Sequence, residues 1–235
     1  MVLGVSAAGV HAKGVKKVLL SWSTGKDSAW ALHLLRQRHD VEVVALLTSF
    51  NEAANRVAMH AVRRELVELQ AERLGLPLWS ADLPAMTCTN ARYEEVMAAV
   101  FRRAFSEGID QVAFGDLFLE DIRDYRERQM EGSGLEPIFP VWGMPTAELA
   151  REMLEAGVRA KVTCVDPARL DETYAGREFD AEFLAGLPAK VDACGENGEF
   201  HTFCYESPVF SEPIAVRVCE IVRRDGFVFA DVLRA

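Results

Sequence analysis

Val18-Leu19-Leu20-Ser21-Trp22-Ser23-Thr24-Gly25-Lys26-Asp27-Ser28 is the stretch from which the fold is read. The apolar run over 18–22 reads as a buried strand and the small residues after it as a turn. From Ser28 onward Trp30, Ala31, Leu34 and Leu35 recur at helical spacing. Strand, loop and helix in that order make an anion site. Unpaired N–H groups of the loop and of the first helical turn converge on one spot, the helix dipole adds partial positive charge, and Lys26 supplies a full one. Gly25 is read as letting backbone approach phosphate with no Cβ between them. A Walker A loop is excluded, because Leu20 stands where its first glycine belongs and Asp27 follows the lysine. The bland alternative is a Ser/Gly turn that caps a helix through Asp27.

The same alternation continues outward. An apolar run over 41–47 predicts a second strand, and a helical pattern over 59–74 stops at Gly75, a good C-terminal cap. Strand, helix and strand follow over 78–81, 93–105 and 111–114, the last running into Gly115-Asp116. This spacing predicts an α/β fold, a parallel sheet with helices on both faces. A charged helical run over 121–131, Gly132-Ser133-Gly134 and a proline-punctuated stretch then mark a boundary. The expected division is a tail over 1–15, a nucleotide-binding domain over 16–130 and a smaller C-terminal α+β domain over 131–235. In the latter a helix is expected over 146–155, a strand over 158–165 and a terminal hairpin around Asp225-Gly226. Ligands bind beyond the carboxyl ends of strands in open α/β sheets, so Thr48, Ser49, Gly115 and Asp116 join Ser23 to Ser28 as expected nucleotide contacts. Asp116 has a simpler alternative as the cap of the next helix.

Composition narrows the partners. The 235 residues carry 26 Lys plus Arg against 36 Asp plus Glu, a net charge of -10, which disfavours a large nucleic-acid substrate. Five cysteines at 88, 164, 194, 204 and 219, none in a C-x-x-C pair, read as free thiols in a reducing compartment and argue against a zinc or iron–sulfur site. Nowhere is there an apolar run of the roughly 18 residues that crosses a bilayer, so a cytoplasmic protein with no membrane partner is expected.

A second constellation lies at Ala193-Cys-Gly-Glu-Asn-Gly-Glu-Phe-His-Thr202, which reads as a polar, flexible site loop. Glu196, Glu199 and His201 are the expected catalytic groups beside Lys26, able to orient an amine or exchange protons near neutrality. A solvated hairpin is the alternative for the loop, and a buried inert thiol for Cys194.

Ser23, Gly25, Asp27 and Ser28 match the PP-loop signature S-G-G-x-D-S of the ATP pyrophosphatases, with Thr24 replacing a glycine and stiffening the loop. Together with Gly115-Asp116, Glu136-Pro137-Ile138 and the motif over 195–202, the chain from about Lys17 resembles the diphthine–ammonia ligase family. The resemblance implies a HUP-type, Rossmann-like parallel sheet with a C-terminal substrate domain. It implies ATP as substrate, with Asp27 as a candidate Mg²⁺ ligand, and adenylation of a carboxylate acceptor with release of pyrophosphate. Ammonia or an amine then displaces AMP. The segment over 115–123 is more apolar and acidic than the family's usual continuation, and the Ala/Arg/Leu-rich usage is bacterial in style. On a bacterial source the resemblance implies a related amidation, not that of diphthine itself. A tRNA-modifying PP-loop enzyme and a non-catalytic ATP sensor are the rival readings, and an oligomer is compatible with all three.

Overall fold

The computed structural model describes residues 14–57, 60–84 and 89–235; Met59, Cys88 and the expected tail up to residue 13 fall outside them. Its N-terminal part contains β1 (Lys16–Ser21), α1 (Lys26–Gln37), β2 (Val41–Asn51), β3 (Arg56–Val57), α2 (Arg64–Leu74), β4 (Leu78–Leu83), α3 (Asn90–Ser106), β5 (Gln111–Ala113), α4 (Glu120–Met130) and β6 (Glu136–Ile138). Then come α5 (Thr146–Glu155), β7 (Arg159–Val165), β8 (Glu178–Phe179), α6 (Ala181–Gly186), β9 (Phe200–Glu206), β10 (Val216–Arg224) and β11 (Phe227–Arg234).

The first sheet has six strands in the order β3-β2-β1-β5-β6, with β4 also on β2, and every pairing except β2–β3 is parallel. Parallel strands buried on both faces need apolar side chains in both directions. On β1, Val18 and Leu20 join the core that includes α1 and α2, while Leu19 joins the core built with Met97, Phe101 and Ala104 of α3. The expected α/β architecture is thus present. The sequence reading is exceeded at β2, which runs on to Asn51, and at β6, a strand not expected there, which pairs with β5 although it follows the expected boundary at 130. The first sheet therefore ends at Ile138, and the change of sheet falls between there and α5.

The helix expected from residue 59 starts at Arg64. The chain first folds back as β3 on the end of β2, and the Val57 N–H donates to the Val62 carbonyl. At its other end Gly75 has φ 66°, the left-handed cap that the sequence predicts. The second sheet is antiparallel in the order β10-β11-β7-β8, with β9 along β7. Asp225 and Gly226, at φ 52° and 85°, turn the terminal hairpin. One core runs through both sheets, from Val18 and Leu46 to Phe179, Phe200 and Phe203. Arg56 and Arg63 both bind the Asp231 carboxylate, tying β11 to the approach to α2. Among the described residues no helix is long and apolar enough to cross a membrane.

Candidate active site

The loop after β1 is held from three directions. The Trp22 N–H donates to Leu47 O at 2.7 Å, and its indole donates to Gln70 on α2 at 2.8 Å. The Thr24 carbonyl accepts from Gln70 Nε2 at 3.1 Å and from the Cys204 N–H on β9 at 2.9 Å. Thr24 has φ 75°, the region a glycine favours, which gives a conformational reason for the glycine of the signature at this place. Gly25 itself is extended, at φ -83°. A Cβ there would lie 3.2 Å from both the carbonyl and the hydroxyl oxygen of Thr202, so its lack of a side chain admits β9, where the sequence reading had it admitting phosphate.

Gly25 N–H donates to Ser23 Oγ at 3.3 Å and Lys26 N–H to Thr202 Oγ1 at 3.2 Å, leaving the Asp27 and Ser28 amides in the first turn of α1 with no intrahelical acceptor. Ser28 Oγ donates to Gly25 O and accepts from Ser23 Oγ. Gly115 packs on this turn: a Cβ there would come within 3.3 Å of the Ser28 amide nitrogen.

Lys26 was expected to offer its charge to phosphate. Its side chain is buried, and Nζ donates to the Cys194 carbonyl and to Asp27 Oδ2 at 3.0 Å, with the Phe179 and Phe200 rings each 5.3 Å away. Burial is the largest influence and opposes the charge, but Asp27, Cys194 and Asp192 together outweigh it and hold the Lys26 pKa above its ordinary value. Asp27 keeps one oxygen, Oδ1, buried without a hydrogen bond, and burial pushes its carboxyl up against the pull of Lys26.

The loop over 192–199, read from the sequence as a polar site loop, is half-buried, with Cys194, Gly195 and Glu199 buried and Asn197 exposed. Asp192 organises it, accepting from the Cys194 and Glu196 amides at 3.0 and 3.1 Å. Glu199, expected as a catalytic acid, is buried and spends Oε1 on the Asp192 amide and Asn197, so its carboxylate holds the loop. Glu196 reaches back to the first sheet, accepting from Leu117 N–H at 2.7 Å. Burial first, then the neighbouring Asp27 and Asp116, raise its pKa to about 7 against the backbone donors. His201 stacks on His60 with centroids 4.5 Å apart. Burial and then Lys26 hold the His201 imidazole down at about 4, and burial with His201 keeps His60 well below its usual value. Cys194 is buried, and burial drives its thiol well above the usual range, in keeping with the inert alternative.

These groups meet at one cavity of 490 Å³. Ser23, Lys26, Asp27, Ser28, Ser49, Gly115, Asp116, Glu196 and His201 line it, whereas Thr24 and Gly25 lie behind it. Thr48, expected beside Ser49, is buried and donates its hydroxyl to the Trp22 carbonyl, because β2 continues past it. Asp116 does not cap α4, whose N-cap is Leu119; it faces Arg126 across 3.6 Å. Sequence reasoning did not single out His60, Gln70, Tyr93 or Arg126. No motif marks these residues: Gln70, Tyr93 and Arg126 lie on α2, α3 and α4, and His60 comes from the turn before α2, where its ring meets His201.

The diphthamide synthase N-terminal domain model matches residues 16–137 and the C-terminal domain model residues 145–234. A human diphthine–ammonia ligase is 24% identical, covering 89% of this chain and 86% of its own. The zebrafish (Danio rerio) diphthine–ammonia ligase is 26% identical, with 89% and 90% covered. Among solved structures, the U34-tRNA thiolase NcsA from Methanococcus maripaludis with its [4Fe-4S] cluster is 18% identical at a TM-score of 0.41, covering 60% of this chain and 58% of that one.

Proposed function

Because the chain belongs to the diphthamide synthase family, we propose that it is an ATP-dependent ligase that adenylates a carboxylate, releases pyrophosphate and passes the acyl group to ammonia or an amine. One observation carries the reading: the nucleotide loop and the motif over 194–202 line the same cavity, so activation and transfer share one space. Its volume is in the usual range for small-molecule sites, roughly 300–1,000 Å³.

The unfilled Asp27 and Ser28 amides, with the Ser23 and Ser28 hydroxyls, receive the phosphate chain, and Gly115 keeps the approach open. The adenosine then lies toward Leu47 and Ser49 at the ends of β1 and β2. Asp27 Oδ1, buried and unpartnered, fits a divalent cation. Mg²⁺ bound with the nucleotide would be held on the protein side by Asp27 and would supply charge neutralisation for the departing pyrophosphate. A carboxylate oxygen of the acceptor forms a bond to the α phosphorus as the bond from that phosphorus to the bridging oxygen breaks. The amine nitrogen next bonds to the acyl carbon, AMP leaves, and the proton shed by nitrogen passes to Glu196, whose pKa of about 7 suits proton exchange at neutral pH. Lys26 balances Asp27 and holds the Cys194 carbonyl, and Glu199 fixes the loop that carries Glu196. The relatives act on diphthine by their names; here the acceptor class is a carboxylate.

The test is to incubate the protein with ATP, Mg²⁺, ammonium and a cell extract and to separate the nucleotides. AMP with pyrophosphate, lost in Ser28→Ala, is expected; ADP, or tight ATP binding without turnover, sinks the ligase reading in favour of another ATPase or a sensor.

A further inference from the structure

Among the described residues Arg126 on α4 is the one guanidinium in the cavity wall, and it is poorly satisfied. Its Nε is buried and has no hydrogen bond, lying 3.6 Å from Asp116 Oδ2, which is itself without one. Its Nη1 reaches the Tyr93 hydroxyl at a long 3.3 Å. Buried ionic groups are normally closely hydrogen-bonded, and each that is not calls for a ligand or a reason. Two rows of donors held apart from their nearest acid, in a cavity, match the fork by which arginine takes a carboxylate. Around that fork the wall turns apolar: Met97 from α3, Phe114 after β5, and Leu119 and Ile122 at the start of α4, with Phe114 5.1 Å beneath the guanidinium.

Resting on the ligase reading, we propose that Arg126, with Tyr93 beside it, anchors the acceptor carboxylate, and that the acceptor carries an apolar body of aromatic size that fills this chamber. The anchor presents the carboxylate toward the loop, while Asp116, 3.6 Å from the guanidinium, stays as its ion-pair partner and keeps it oriented. The anchor makes the site selective for an anion: a carboxamide of the same shape offers no charge and would leave the guanidinium unpaired.

The probe is 3-phenylpropionate against 3-phenylpropionamide, titrated by calorimetry into the full chain loaded with Mg²⁺ and α,β-methylene-ATP, so no turnover is needed. The acid is expected to bind about tenfold or more tightly than the amide, and Arg126→Gln to lose about the same factor for the acid while leaving the nucleotide analogue within about threefold. Arg126→Lys should recover only part, since an ammonium lacks the planar fork. Should Arg126→Gln not fold, Tyr93→Phe, expected to weaken the acid severalfold, and the acid–amide comparison on the unaltered protein still decide. Equal binding of acid and amide, no binding of the acid, or an Arg126→Gln that weakens the nucleotide and spares the acid overturns the proposal. A protein that forms no AMP yet binds the acid through Arg126 would keep the anchor and sink the ligase reading; one that forms AMP while ignoring the probe's charge does the reverse.

Discussion

Replacing Thr24 by glycine should make this protein more stable, although it removes a fully buried side chain. Thr24 has φ 75° and is 0% exposed, and its hydroxyl is buried without a partner. Holding a residue with a Cβ in the left-handed region costs about 1–2 kcal/mol, and a β-branched side chain sits at the upper end. An unsatisfied buried hydroxyl costs about 1–3 kcal/mol more. Against this, the change forfeits roughly 1 kcal/mol of methyl burial and about 0.5–1 kcal/mol of backbone entropy. The net is a gain of about 1–2 kcal/mol, which at roughly 2–4 °C per kcal/mol for a chain of this size raises the melting temperature by about 2–8 °C. Scanning calorimetry at pH 7 without nucleotide measures it. Thr24→Ala removes the hydroxyl but keeps the strained φ, so it should fall between the two. Because the Thr24 carbonyl keeps its bonds from Gln70 and Cys204, the loop path is unchanged. A Thr24→Gly protein melting at or below the wild-type temperature would refute the claim that strain and an orphaned hydroxyl dominate at this position.

Lys26→Met should cost about 3–5 kcal/mol in urea unfolding, because it leaves Asp27 buried without its cation. Adding Asp27→Asn to it should recover part of that loss, and strictly additive effects would show that the two charges are not coupled. Glu196 holds its proton more tightly folded, with a pKa of about 7, than unfolded, near the usual 4.5, so its contribution to stability falls as pH rises from about 5 through 7. Glu196→Gln should flatten that part of the urea midpoint against pH, and an unchanged slope would assign it to another group.

The nucleotide loop was legible because it is local: an apolar strand, small residues and an amphipathic helix follow one another within some twenty positions, and helix α5 was expected at its observed bounds for the same reason. Helix α2 was misread at its start, since the helical periodicity over 59–63 competes with the short return of β3 onto β2, a pairing that local pattern does not display. Likewise, polarity marked 194–202 as a site loop but not which of its groups face the cavity. Its carboxylates are buried because Asp192 and Glu199 satisfy the loop's own amides, and the identity of those partners is a matter of three-dimensional closure. Thr48 and Ser49 are neighbours with opposite fates, one turned into the core and one into the cavity, as alternation along a strand requires; only the strand's true length fixes which is which. Gly25 was correctly singled out, but for a neighbour 177 positions away and not for a ligand.

That distant neighbour has a consequence for synthesis. The Lys26 amide and the Thr202 hydroxyl, like the Thr24 carbonyl and the Cys204 amide, can meet only after the last third of the chain has been made. At about 5–20 residues per second on the ribosome, the loop waits roughly 10–35 s with only its Leu47 and Gln70 contacts to hold it. A nascent N-terminal half therefore carries the phosphate-binding motif without the clamp that shapes it.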